Sequence, residues 1–146
     1  MNLKTIVSSL ICLVILLFVS SSAVAADLVT HAPKDAQAYI IEPANGATVP
    51  QTFSVKFGLS GMELAPAGIK QENTGHHHLL IDKQELPDLM SSLPSTEQIR
   101  HFGKAQTEAE ITLEPGEHSL QLVLGNYLHI PHDNPVISQP VTVQVK

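Results

Sequence analysis

The chain has 146 residues, a formal net charge of −6 and a single cysteine, Cys12. An acidic surface without a basic block is a poor partner for nucleic acid or for an anionic membrane. One thiol excludes a disulfide framework, so an aliphatic core has to hold the fold, Trp being absent and aromatics few.

Residues 1 to 25 read as a secretory signal, with Lys4, an apolar run from Leu10 to Val19, and Ala23-Val24-Ala25 as the small-residue exit before Ala26. The run is shorter than the roughly 20 apolar residues that span a bilayer as a helix. Cys12 lies inside it and lacks the small residues that precede a lipidated cysteine. After cleavage no thiol, disulfide or lipid anchor is expected, and the mature chain is one unit more negative for the loss of Lys4.

Residues 26 to 38 have no sustained period and read as a flexible lead-in or a short first strand. One domain is expected over residues 39 to 146. Tyr39-Ile40-Ile41-Glu42-Pro43 is a short strand running into the turn signal Asn45-Gly46. Phe53, Val55, Phe57 and Leu59 alternate with polar or small residues, the period of a half-buried strand. Gly61 to Gly75 reads as a long loop. His76 to Asp82 reads as a strand that opens on three histidines, and Gln84 to Arg100, with Pro87 and Pro94, as a loop carrying about one helical turn near Asp88 to Leu93.

Thr107 to Leu113 alternates, Glu114-Pro115-Gly116-Glu117 is a turn, and His118 to Leu124 alternates back, which predicts a hairpin over 107 to 124. After a loop through His129, Pro131, His132 and Pro135, Val141, Val143 and Val145 mark a last strand. Six or seven short strands with almost no helical period predict an all-β, immunoglobulin-like antiparallel β-sandwich, a small closed barrel being the alternative.

Eight histidines occur in the chain, at 31, 76, 77, 78, 101, 118, 129 and 132. On a strand His76 and His78 share a face, roughly 6.5 to 7 Å apart, while His77 points the other way with Leu79 and Ile81. A tetrahedral metal needs two ligand nitrogens only about 3.3 Å apart, a gap that two inward-leaning imidazoles can close. His129-Ile130-Pro131-His132 supplies a second pair on a proline-stiffened loop. The expected ligands are therefore His76, His78, His129 and His132, with His101 as a fifth candidate.

Neutral imidazoles suit Cu(II) or Zn(II), and with few methionines a soft Cu(I) site is not expected. Ligand histidines must be deprotonated, so affinity is expected to fall as pH drops through about 6.5. Asp133 is the expected carboxylate partner of a ligand, since Asp82 lies roughly 13 Å along the strand from His78. Solvent exposure is expected for His31, and ring packing at the hairpin mouth for His118. No nucleophile elbow, phosphate loop or zinc-protease motif occurs, which favours binding over turnover. Two other classes stay open: a metal-free immunoglobulin-like interaction module for protein or glycan, and a small zinc or copper enzyme.

Several stretches together resemble a bacterial family of unknown function, DUF4399. They are Glu42-Pro43-Ala44-Asn45-Gly46-Ala47-Thr48-Val49-Pro50, Phe53 to Gly61, Thr74-Gly75-His76-His77-His78-Leu79-Leu80-Ile81-Asp82, His101 to Glu108, Pro115-Gly116-Glu117-His118 and His129-Ile130-Pro131-His132-Asp133. The resemblance runs from about Tyr39 to the C-terminus. It implies an exported, periplasmic bacterial protein and brings neither an activity nor site residues. One departure stands before the His-x-x-His pair, where Asn126 replaces an expected acid. The partners to expect are a metal ion and a periplasmic protein.

Overall fold

The computed structural model describes residues 28–146, so the signal segment 1 to 25 lies outside the described residues. Among the described residues nine strands form two sheets. They are β1 (Gln37–Glu42), β2 (Ala47–Val49), β3 (Thr52–Ser60), β4 (Glu63–Leu64), β5 (Thr74–Ile81), β6 (Ile99–His101), β7 (Glu108–Thr112), β8 (Gly116–Gly125) and β9 (Val141–Val145). One sheet has the order β1-β3-β7, and the other β2-β9-β8-β5-β4 with β6 also against β5. This is the all-β, immunoglobulin-like sandwich that the strand periods predict. The strand count is higher than six or seven because β2, β4 and β6 are too short to show a period. Two pairings, β2 with β9 and β4 with β5, are parallel.

The alternation in β3 turns Phe53, Val55 and Phe57 toward the other sheet, where they meet Leu79, Ile81, Leu120, Leu122, Leu124, Val143 and Val145. These side chains are at most 8% exposed. Burial of such aliphatic surface is the main source of stability in a chain without disulfides.

Two local expectations need correction. Residues 107 to 124 do not form a hairpin: β7 pairs with β3, while β8 pairs with β5 and β9 in the other sheet. The turn at Glu114–Pro115 carries the chain across the sandwich, so the apolar faces of β7 and β8 meet the core from opposite sides. A hairpin and such an arch share one alternation pattern, and only pairing separates them. No helical turn forms at residues 88 to 93 either. The Asp88 carboxylate accepts the Met90 N–H at 2.9 Å and the Ser91 hydroxyl at 2.5 Å, which closes a side-chain turn instead.

Every residue of β5 is buried. A strand is covered on both faces only if something lies outside its sheet, and here residues 82 to 98 and 126 to 137 do so. Leu93 and Leu89, with Ile137, pack on Leu80, Ile99 and Val123 to make a second, outer apolar cluster. That cover encloses the outward-facing histidines of β5.

Candidate metal centre

Period-two geometry splits the histidine triplet. His77 joins Leu79 and Ile81 on the inter-sheet face, its ring centre 5.3 Å from that of Phe57. His76, His78 and Leu80 take the outer face. The antiparallel register of β6 sets His101 directly opposite His78. Directly paired residues share a face, so His101 comes to the same side.

Two glycines make room for these rings. A Cβ on Gly125, which is paired with His76 across β8, would stand 2.7 Å from Cε1 of His78 and 3.1 Å from its Nδ1. A Cβ on Gly103 would collide with the His101 ring. Neither glycine needs a positive φ; each is small because an imidazole occupies the space of its side chain.

The fourth ring comes from the turn after β8. Asn126 is wholly buried and its Oδ1 accepts the N–H groups of Leu128 (2.8 Å) and Ile130 (3.1 Å). Its Nδ2 donates to the Leu28 carbonyl at 2.8 Å. The His129 N–H donates to the Asn126 carbonyl at 2.8 Å. Outside this turn, the Leu93 N–H donates to the His129 carbonyl (2.9 Å) and the Ser92 hydroxyl to that of Leu128 (3.0 Å). His129 is held at φ 66°, the left-handed region, and its ring reaches the other three.

The six distances between the four ring centres are 4.8 Å (His76–His78), 5.0 Å (His76–His101), 5.0 Å (His76–His129), 5.2 Å (His78–His101), 5.8 Å (His78–His129) and 4.6 Å (His101–His129). An ion with tetrahedral Zn–N bonds near 2.0 to 2.1 Å, each ring centre roughly 1.2 Å behind its nitrogen, sets all six at about 5.2 Å. A square-planar ion would set two opposite pairs at about 6.4 Å. Here the pair opposite His78–His129 is His76–His101, at 5.0 Å, so the group is tetrahedral in shape. Nitrogens of His76, His78 and His101 lie within 4.8 Å of one another.

No hydrogen-bond partner for most of these nitrogens is found among the described residues. Both ring nitrogens of His76 and of His78, and Nε2 of His101, are buried without a hydrogen-bond partner. Burial, followed by the neighbouring imidazoles, pushes His76 down to about 4 and His78 down to about 3. Burial, then His129, also holds His101 below the ordinary histidine value. The buried rings are therefore neutral at physiological pH, the state in which an imidazole can donate a lone pair to a metal.

Of the five expected ligands, His76, His78, His101 and His129 come together and His132 does not. Beyond the bridge from Pro131 to Gly125, the chain turns the His132 ring toward the start of β5, where its Nε2 lies 3.2 Å from the Thr74 carbonyl. Asp133 does not orient a ligand. Its carboxylate binds His31 Nδ1 at 2.9 Å and accepts the N–H groups of Ala32 and Asn134. His31 thus has a partner although it is exposed. Asp82 is likewise engaged elsewhere, with His118 Nδ1 at 2.7 Å, while Nε2 of His118 lies 2.9 Å from the Glu114 carbonyl. Asn126 serves the backbone of the ligand turn, a use an acid could fill only in part, since it lacks the donor that meets Leu28. Asn126 stands out in the sequence only as the departure before the His-x-x-His pair, while Gly103 and Gly125 carry no site signal by spacing. A glycine closing a strand beside a histidine run is the one signal they leave.

A family model described as Domain of unknown function (DUF4399) matches residues 55–146, a span that contains all four clustered histidines. No curated protein matches. In structure the chain is similar to a fibronectin(III)-like module of Clostridium thermocellum CbhA, at 12% identity and a TM-score of 0.37, over 75% of this chain and 93% of that one. The sandwich assignment stands on the strand pairing itself and takes nothing from that likeness.

Proposed function

The chain belongs to the DUF4399 family, and we propose that it is an exported, periplasmic metal-binding protein that holds one transition-metal ion between His76, His78, His101 and His129. The observation that carries this is the set of six ring separations, which fit one tetrahedral ion, together with buried nitrogens of His76, His78 and His101 that have no hydrogen-bond partner among the described residues. The same shape favours Zn(II), which has no geometric preference of its own, over Cu(II), which prefers a tetragonal arrangement. Export is supported by the three-zone segment ending at Ala25.

His76, His78 and His101 bring their nitrogens within 4.8 Å of one another, and His129 as a fourth donor would fill a tetrahedral ion's coordination and leave no position for a reacting water, which favours holding metal over hydrolysis. Metal analysis of protein purified without an affinity tag, followed by calorimetric titration with Zn(II) and Cu(II), tests the proposal. One equivalent of Zn(II) is expected. An affinity no tighter than about 10 μM, near −6.8 kcal/mol, would overturn it in favour of a metal-free interaction module.

A further inference from the structure

The four rings are unequal in a way that bears on how an ion gets in and out. His76 and His78 are 0% exposed and stand on β5, which is flanked on both edges by paired strands. His101 and His129 are only half-buried, and they are neighbours, their ring centres 4.6 Å apart. The cluster therefore has a closed half on the sheet and a less covered half, where Nε2 of His101 is still buried.

The backbone on the open half is fixed. His101 is paired with His78, and the turn around His129 is tied from inside by Asn126 and from outside by Ser92 and Leu93. What can move there is the ring, by rotation about its side-chain torsions, which half-exposed residues do far faster than a sheet opens. We propose, on the basis of the metal-binding reading above, that the ion enters and leaves through the His101–His129 side by rotation of these rings while the sandwich stays folded. The site is thus built for exchange with an external ligand, as a carrier of metal requires, and not as a sealed structural centre.

The step is a ligand substitution. A donor nitrogen of the incoming ligand gives its electron pair to Zn(II) as the Zn–N bond to His129 breaks, and the freed imidazole stays neutral or takes a proton from water. No electron is transferred. His76 and His78 release the ion last.

Rapid mixing of the zinc-loaded full-length mature chain with an excess of a chelating dye reads this directly, beside the unfolding rate of the same zinc-loaded protein extrapolated from urea. Release is expected at least about tenfold faster than unfolding and to quicken with dye concentration. His129→Asn keeps a residue that tolerates the left-handed backbone and should speed release by a further factor of about ten or more. His129→Gly serves the same purpose if the asparagine side chain binds zinc. A release rate equal to the unfolding rate and independent of dye would overturn the exchange route while leaving metal binding intact. Zinc that fails to bind at all would remove both.

Discussion

Taking the metal-free protein from pH 7.5 to pH 5.5 should cost about 4 kcal/mol of folding stability. In the folded state burial holds His76 and His77 at about 4 and His78 at about 3. In the unfolded chain each titrates near 6.5. Their folded values are depressed, so the unfolded state binds more protons throughout the window from about 6.5 down to about 4, and stability falls as pH falls through it. Over these two pH units each histidine contributes somewhat more than 1 kcal/mol, hence about 4 for the three. His101 and His132 are shifted in the same direction and steepen the loss. His118 opposes it: burial works against its charge, but the bonds to Asp82 and the Glu114 carbonyl hold its value above the ordinary one, so its contribution is fully present below about 6.5. Against a total of about 5 to 15 kcal/mol for a domain, the net loss is large. Urea unfolding at the two pH values, with a chelator present, measures it. A change below about 1 kcal/mol would refute the burial of neutral histidines on β5.

His77→Leu should stabilise the metal-free protein by about 1 to 3 kcal/mol, since both buried nitrogens of the ring packed near Phe57 lack a partner among the described residues, and should leave zinc affinity unchanged by calorimetry. His77→Ala should instead cost about 2 kcal/mol or more by opening a cavity in the core, read by the same urea unfolding. His76→Ala and His78→Ala should each weaken Zn(II) binding by more than about 100-fold, measured by competition with a chelating dye. Gly125→Ala should both destabilise, by about 1 to 3 kcal/mol, and lower zinc affinity, because its methyl group would displace the His78 ring.

The sandwich was legible wherever a strand is half-buried. β3 and β9 alternate because one of their faces meets the core and the other meets solvent, and that difference is what a period-two pattern records. β5 is buried on both faces and its pattern is therefore flat, so the triplet alone does not reveal that the outer face is enclosed. The split of His76 and His78 from His77 follows from strand geometry alone, and the structure has it. The choice between His129 and His132 does not. It depends on a positive φ and an asparagine turn that no spacing rule encodes, and a proline-stiffened loop offers either histidine equally well. His101 is set by register across a three-residue strand, too short to announce itself.

Burial also changes the acid limit expected for a histidine site. A solvated histidine competes for protons at about 6.5, and a site built from such residues loses metal as pH drops through that value. In the folded protein His76 and His78 stay neutral to about 4 and about 3, so protons compete for these two ligands only well below pH 6. The desolvation that makes the metal-free fold acid-sensitive thus keeps its buried donors available in acid. The two effects separate in experiment, because one acts through the unfolded chain and the other through the folded site. Zinc titration at pH 5.5, under conditions where the protein remains folded, should retain tight binding to the buried pair. An affinity that follows a single proton step near 6.5 would show instead that burial does not keep His76 and His78 neutral.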